Sequence, residues 1–184
     1  MRIFRKIAIS IILPLGLAVL ALDSWGAYPT PGKPAPNFLV ESGDSQKLSL
    51  DMVRGRVVVL FYESRRVTKK NIELKNELKR LYRAQPEEIK QAILRLVVID
   101  CSDAIYATLP IWKSQLRANS NKEGFTIYGD WDRTMCKDYC MKVEDSNFLI
   151  IDKQGFIRYS AIGKVDPSQF DRIKEILLTL VQQR

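Results

Sequence analysis

The stretch VVVLFYESRRVTKKN, Val57 to Asn71, decides the expected fold. It opens with an unbroken apolar run rich in β-branched residues, which is typical of a strand covered on both faces of a sheet. A short polar loop, Glu63 to Val67, follows the run, and apolar residues then recur at helical spacing at Leu74, Leu78 and Leu81. A buried strand that leads through a loop into an amphipathic helix is a repeating unit of α/β domains.

Alternating strands and helices continue through the rest of the chain. A second buried strand is predicted over Arg95 to Cys101 and a third over Phe125 to Gly129, each followed by a helix. Two apolar runs, Asn147 to Asp152 and Phe156 to Ile162, flank a KQG turn and predict a hairpin. A last helix follows the predicted N-cap Asp166. We therefore predict an α/β three-layer sandwich around a mixed sheet, with parallel strands in the centre and a C-terminal β-hairpin followed by a helix.

The first residues have the organisation of a secretory signal peptide. Basic residues precede the apolar run Ile7 to Leu22, and small residues follow it. The run contains Pro14 and is shorter than the roughly 20 residues that span a bilayer, although an uncleaved N-terminal anchor is the alternative. We predict a signal peptide over residues 1–26, a proline-rich lead-in over 27–36 and one domain over 37–184. The mature protein is expected in the periplasm, without a stable membrane span.

Charge and composition exclude several classes of partner and cofactor. The net charge is +8, but the basic residues alternate with acidic ones in segments such as ELKNELKR, so nucleic-acid binding is not expected. The chain has no histidine, which removes the commonest general base and the commonest transition-metal ligand. We therefore predict neither a cofactor nor a metal site.

Three motifs add a resemblance to a known group. The order of elements is similar to that of thioredoxins and peroxiredoxins over nearly the whole predicted mature chain. Within that superfamily, GRVVVL with its arginine-bearing loop and KKN, then VVIDCSDAI, then FLIIDKQGFIRYSAIGKVDPSQ, resemble the YtfJ-type periplasmic proteins. That resemblance implies a thioredoxin-like, redoxin-like fold with an export signal and no settled activity.

Two departures from the redoxin pattern argue against its usual chemistry. Thioredoxin catalysis needs a thiolate of low pKa at a helix N-terminus and a second cysteine that resolves the mixed disulfide. The loop Glu63 to Val67 contains no cysteine. The superfamily's cis-proline before the hairpin is also missing, because Glu144 to Asn147 reads EDSN. We predict that the usual active site is absent.

The cysteines lie elsewhere, at Cys101, Cys136 and Cys140. A helix predicted to run through about Val143 would place Cys136 and Cys140 on one face, where side chains four apart start about 5–6 Å from each other. A disulfide needs Cβ atoms about 3.5–4.5 Å apart, so a bridge within the helix would distort it. Either all three are small core residues, or Cys101 forms a disulfide with Cys136 or Cys140. Copper-delivering proteins of this fold also have C-x-x-x-C, but they place it after the central strand and add a histidine, so metal binding is not predicted.

A candidate site follows from strand order. Ligands of open α/β sheets gather outside the carboxyl ends of the parallel strands. Arginines there, followed by a helix N-terminus, would suit an anion. The alternative is a solvated loop whose arginines pair with Asp103 or Asp132. The residues predicted to bind a ligand or partner are Arg65, Arg66, Lys69, Asp103 and Trp131.

These observations favour a non-enzymatic periplasmic binding or interaction module, whose partner is an unknown periplasmic protein or a small anionic ligand. The first alternative is a periplasmic thiol-disulfide oxidoreductase that uses Cys136 and Cys140, with Cys101 in addition. The second is an accessory subunit of a larger envelope complex.

Overall fold

The computed structural model describes residues 28–183, and the predicted signal peptide lies outside them. Within this range no helix has the length and apolar character needed to cross a bilayer. The strands and helices are, in chain order, β1 (Leu39–Ser42), β2 (Lys47–Ser49), β3 (Val57–Glu63), α1 (Ile72–Arg83), α2 (Glu87–Gln91), β4 (Ile93–Asp100), α3 (Leu109–Glu123), β5 (Ile127–Asp130), α4 (Thr134–Asp138), β6 (Asn147–Ile151), β7 (Ile157–Ile162) and α5 (Phe170–Gln182).

The strands form one mixed sheet in the order β2-β1-β5-β4-β3-β6-β7. Parallel pairing joins β3 to β4 and β4 to β5, so the parallel strands are central. The hairpin β6–β7 pairs antiparallel to β3, and α5 follows it. The predicted fold class is confirmed.

Side chains alternate along β3 between two hydrophobic cores, as the pleat of a strand requires. Val58, Leu60 and Tyr62 pack into the core that α4 closes, whereas Val59 and Phe61 pack under α1 and α5. Every residue of β3 is buried, which explains its continuous apolar sequence. A smaller cluster lies under α3. The central strand is therefore covered on both faces, and its carboxyl end opens onto one rim.

The described part of the predicted proline-rich lead-in, residues 28–36, turns at Pro31 and Gly32 and packs against the hairpin. The Gly32 N–H donates to the Ile157 carbonyl at 2.7 Å, and the Ile157 N–H donates to the Lys33 carbonyl at 2.9 Å. The Tyr28 hydroxyl donates to the Ala161 carbonyl at 2.7 Å. These bonds cover part of the β7 edge, which would otherwise offer free backbone groups to another strand.

The helix predicted to run through Val143 is wrong, because α4 ends at Asp138. Cys140 has a left-handed backbone with φ of 47°. Its N–H donates to the Lys137 carbonyl, and the Met141 N–H donates to the Cys136 carbonyl at 2.9 Å, which is the hydrogen-bond pattern of a Schellman C-cap. This turn brings Met141 into the core beside α4. Cys136 and Cys140 therefore do not share a helix face.

Candidate functional site

A buried ion pair lies where β3 meets the following loop. Glu63, the last residue of β3, is completely buried. Its Oε2 accepts a hydrogen bond from Lys75 Nζ at 2.6 Å, and its Oε1 accepts one from Ser146 Oγ at 2.7 Å. Burial raises the pKa of Glu63, while Lys75 and Ser146 act in the opposite direction. The carboxylate therefore has two partners, from α1 and from the segment that enters β6.

Asn71 connects this ion pair to the C-terminal part of the domain. Its Nδ2 donates to Ser146 Oγ at 2.9 Å and to the Gly163 carbonyl at 2.8 Å. Its Oδ1 accepts from the Val165 N–H at 2.8 Å. One buried side chain thus links the start of α1 to both ends of the hairpin. The cysteine-free loop after β3 and Ser146, which precedes β6, belong to a single hydrogen-bonded network.

The loop between β3 and α1 is a series of turns. The Val67 N–H donates to the Ser64 carbonyl, and Lys75 Nζ donates to the Thr68 carbonyl at 2.8 Å. Helix α1 begins only at Ile72, so its first turn does not follow directly on Arg65 and Arg66. The predicted contribution of a helix N-terminus beside the arginines is therefore wrong. Hydrogen bonds within the loop, together with the one from Lys75 on α1, set the path of the loop that presents the two arginines.

A cavity of about 370 Å³ opens beside this loop, at the carboxyl ends of β3 and β4. Its position is the rim predicted from strand order, and three of the predicted residues line it. The other two predicted residues, Lys69 and Trp131, do not line the cavity. Trp131 instead packs with the cluster under α3, and its Nε1 donates to the Glu41 carbonyl at 3.0 Å. The lining residues are Ser64, Arg65, Arg66, Asp100, Asp103, Trp112, Arg133 and Glu144.

Arg133 neutralises the carboxylates at the back of the cavity. Its backbone is left-handed, with φ of 63°, and its Nε donates to Asp100 Oδ2 at 3.0 Å. Its Nη2 lies 3.7 Å from Asp103 Oδ1. Asp132 instead accepts the Thr134 N–H at 2.9 Å. The predicted pairing of Arg65 or Arg66 with Asp103 or Asp132 is therefore wrong, because an arginine from the turn before α4 occupies Asp103.

Arg65 and Arg66 have weaker partners than Arg133, and the two differ from each other. Arg66 Nη1 lies 3.8 Å from Glu144 Oε2, and both side chains are exposed, so this contact is weak. The Arg65 guanidinium stacks on the Trp112 ring, 4.3 Å from its centroid. Within residues 28–183 no carboxylate forms a salt bridge with Arg65. Stacking fixes the plane of the guanidinium and leaves its N–H edge free to bind a carboxylate or phosphate through two hydrogen bonds.

Ser64 adds an unpaired polar group to the same cavity. The residue is 8% exposed, and its Oγ has no hydrogen-bond partner in the part of the chain that the structure describes. A buried hydroxyl without a partner is uncommon in folded proteins, because burial removes the hydrogen bonds that the hydroxyl made to water and nothing replaces them. Ser64 thus lines the same cavity as Arg65, with a hydroxyl that is buried and has no partner in the described chain.

The cysteines do not line the cavity, and all three are free thiols in the structure. Burial, followed by the charge of Asp100, raises the pKa of Cys101 to about 12. Burial also raises the pKa of Cys136. Both are therefore thiols rather than reactive thiolates at neutral pH. Cys101 belongs to the cluster under α3 and Cys136 to the core that α4 closes. A disulfide from Cys101 to Cys136 or Cys140 stays a prediction.

Neither the unpaired serine nor the role of Trp112 or Arg133 was visible to sequence reasoning. Trp112 lies on α3 and Arg133 before α4, far along the chain from the loop after β3. The available signal was that Arg133 follows the end of β5, which is part of the same rim.

Replacing Lys75 tests the buried ion pair. We expect Lys75→Met to reduce the free energy of unfolding by about 3–5 kcal/mol at neutral pH, because it leaves a buried carboxylate without its cation. Burial already raises the pKa of Glu63 above its unfolded value, and loss of Lys75 raises it further. The folded variant takes up a proton as the pH falls through that raised pKa. The loss should therefore be smaller at about pH 5 than at about pH 8, as measured by urea denaturation.

The matched control is Lys79→Met on the same helix, because the ion pair of Lys79 with Glu123 is partly exposed. It should change the free energy of unfolding by less than about 1 kcal/mol at either pH. The double variant Glu63→Gln/Lys75→Met should lose the pH dependence. Equal losses for Lys75→Met at both pH values would show that Glu63 does not control the stability of this network.

Comparisons with known protein families and solved structures are consistent with the fold described above. The model of the AhpC/TSA family matches residues 31–160. No curated protein sequence matches the chain.

Solved structures show the same fold at low sequence identity. A candidate protein disulfide isomerase from Bacteroides thetaiotaomicron is 14% identical, with a TM-score of 0.64 over 87% of this chain and 95% of that one. A thiol peroxidase from Chromobacterium violaceum is 15% identical, with a TM-score of 0.61 over 84% and 89%. The thioredoxin domain of a thiol-disulfide oxidoreductase from Bacteroides vulgatus is 16% identical, with a TM-score of 0.56 over 80% and 98%. The fold is thioredoxin-like, and the chain belongs to the AhpC/TSA family.

Proposed function

We propose that this protein is an exported member of the redoxin family, of the YtfJ type, that binds an anionic group at the rim cavity and does not catalyse thiol chemistry there. The observation that carries the proposal is the Arg65 guanidinium, which is stacked on Trp112 at 4.3 Å and has no carboxylate partner in the described chain. A preoriented guanidinium loses little conformational freedom on binding, so its hydrogen bonds to an anion contribute more to affinity.

The loop chemistry supports binding rather than redox catalysis. The last residue of β3 is Glu63, whose carboxylate is used by Lys75 and Ser146. The family and the structural neighbours are associated with thiol chemistry, but a neighbour at such low identity shares the fold alone. The cavity has arginines but no cysteine among its lining residues, so it offers hydrogen-bond donors for an anion without the nucleophile.

Export is proposed from the N-terminal pattern, which lies outside the described residues. A basic start, an apolar core and small residues precede the first described residue, Tyr28. Periplasmic location follows from that pattern.

The mature N-terminus tests export. We expect the native protein to begin between Leu22 and Tyr28, because the small residues a signal peptidase prefers lie in that interval. Intact mass spectrometry of the protein purified from its host measures this directly. A mass that still includes Met1 to Leu22 would favour an uncleaved anchor, which would hold the same domain at the membrane.

Removal of both rim arginines tests the binding site. We expect Arg65→Ala/Arg66→Ala to weaken the binding of acetate and inorganic phosphate by about tenfold or more, which corresponds to about 1.4 kcal/mol per factor of ten. Binding should also weaken as salt is added, because the cavity is open to solvent. Titrations followed by NMR chemical shifts, including the arginine side-chain N–H signals, measure the affinity.

The control is Lys69→Ala, since Lys69 is exposed, basic and near the cavity but does not line it. It should leave the affinity unchanged within about twofold, and both variants should unfold within about 1 kcal/mol of the parent. A double-arginine variant that loses stability and keeps its affinity would mean that the arginines serve the fold. The functional surface would then lie elsewhere.

A thiol-disulfide oxidoreductase that uses Cys136 and Cys140 is the second candidate, and the partial exposure of Cys140 is what favours it. Burial raises the pKa of Cys136, which opposes nucleophilic attack by that thiol. We expect no insulin-reductase or peroxidase turnover above a denatured control. Thiol-dependent turnover that Cys136→Ser or Cys140→Ser abolishes would establish the oxidoreductase instead. Membership of an envelope complex as an accessory subunit is compatible with either outcome.

A further inference from the structure

Exposed apolar side chains border the rim cavity. Tyr106 is 95% exposed, Ile105 64% and Ile111 57%. Ile105 and Tyr106 precede α3 and Ile111 lies in its first turn, and we call these three residues the apolar turn. They are three of the eight large hydrophobic side chains that are exposed in the described part of the chain. Isolated exposed apolar residues are ordinary, but several within one short segment mark an interaction surface.

The apolar turn has a defined backbone. The Ile105 N–H donates to Thr108 Oγ1 at 3.2 Å, and the Thr108 and Leu109 N–H groups both donate to the Ile105 carbonyl at 2.9 Å. These bonds hold Ile105 and Tyr106 at the tip of a closed turn just before α3. Side chains presented by an ordered turn lose less entropy on binding than those of a mobile loop.

The apolar turn is adjacent to residues of the cavity along the chain. Asp103, which lines the cavity, lies two residues before Ile105. Trp112, which lines the cavity and stacks on Arg65, directly follows Ile111. A ligand whose anionic group contacts Arg65 would therefore have apolar surface beside it. A small anion would fill only the cavity and leave the apolar turn in water.

Carboxylates on the same rim limit which ligands can bind there. Asp103 is exposed and shared with Arg133, and Glu144 is exposed beside Arg66. These acids oppose a polyanion such as a nucleic acid or a run of acidic residues, because like charges close together are unfavourable. One acidic group next to large apolar groups avoids that repulsion and uses both parts of the surface.

We propose that this surface binds an extended segment of another protein, in which one aspartate or glutamate contacts Arg65 and a neighbouring large apolar side chain packs on the apolar turn. This inference rests on the proposed anion site and specifies its partner. Charge complementarity carries the choice of occupant: Arg65 lacks a counter-ion within the described chain, and exposed apolar residues adjoin the cavity along the chain. Peptide recognition of this kind uses a few anchored side chains on an extended backbone.

Selection from a random heptapeptide library displayed on phage, with the full-length purified chain as the target, tests the proposal. We expect enrichment of peptides with a single Asp or Glu within about three residues of Leu, Ile, Phe or Tyr, the reach of an extended strand at about 3.3 Å per residue. The enriched peptides are then synthesised with a fluorophore, and their affinity is measured by anisotropy. Failure to enrich such peptides would overturn the proposal.

Two variants and a control separate the parts of the surface. Ile105→Ser/Tyr106→Ser and Arg65→Ala/Arg66→Ala should each weaken the selected peptide by about tenfold or more. Met52→Ser, at an exposed apolar residue outside both the cavity and the apolar turn, should change the affinity by less than about twofold. Only the double-arginine variant should lose affinity for free acetate and phosphate.

The remaining outcomes distinguish a failure of this inference from a failure of the proposed function. Peptide affinity lost in the arginine variant but kept in Ile105→Ser/Tyr106→Ser would overturn the docking surface and leave the anion site standing. Peptide affinity kept in both variants would overturn the docking surface, and acetate and phosphate affinity kept in the arginine variant would overturn the anion site as well. Sedimentation velocity that shows a dimer broken by Ile105→Ser/Tyr106→Ser would make a second copy of the chain the occupant. Binding to phosphatidylcholine vesicles that the same variant abolishes would make it a lipid surface, and either result overturns the peptide proposal.

Discussion

The rim of this protein depends on one buried charge. Glu63 has no exposed surface, and a carboxylate in that position requires a cation and hydrogen-bond donors that remain in place. Lys75 supplies the cation from α1, and Ser146 supplies a donor from the entry to β6. Because both partners must reach the end of β3, the distance of α1 from the sheet and the start of the hairpin are set together. Asn71 adds bonds that oppose any relative shift of these segments.

The same constraint determines what the loop after β3 can do. Lys75 also donates to the Thr68 carbonyl, so the side chain that satisfies Glu63 shapes the turns that carry Arg65 and Arg66. In a thiol redoxin the corresponding region serves a reactive cysteine, which needs a low pKa and access to solvent. Here the region is organised around a buried ion pair that has no access to solvent on the carboxylate side. The chemistry that we propose for the rim is recognition by hydrogen bonds and charge.

Charge on the rim is distributed so that one cation remains available. Arg133 lies between Asp100 and Asp103, and its left-handed backbone turns its side chain back toward the end of β4. Without Arg133, Asp100 and Asp103 would be unpaired carboxylates in the same cavity as the loop arginines. With it, Arg65 stacks on Trp112 and keeps its N–H edge open. A cavity lined by equal numbers of acidic and basic side chains can thus favour an anion, because the pairing of the charges matters more than their sum.

The sequence by itself determined the fold class, the order of the elements and the place of the rim. These follow from local physics: β3 is apolar throughout because both its faces are covered, α1 shows one apolar face, and the carboxyl ends of parallel strands always meet at one edge. The absence of a dithiol on that edge was also readable, since it depends only on which residues follow β3.

Only the tertiary structure decided which residues share the rim. Trp112 and Arg133 come from distant segments, and their side-chain directions depend on the packing of α3 and on the turn before α4. Cys140 looked helical by spacing but takes a left-handed backbone, because the burial of Met141 beside α4 outweighs the local preference for helix. The pairing of Glu63 with Lys75 and Ser146 was likewise not predicted. Spacing along the chain cannot show which side chains meet inside a core when the partners lie 83 residues apart, as Glu63 and Ser146 do.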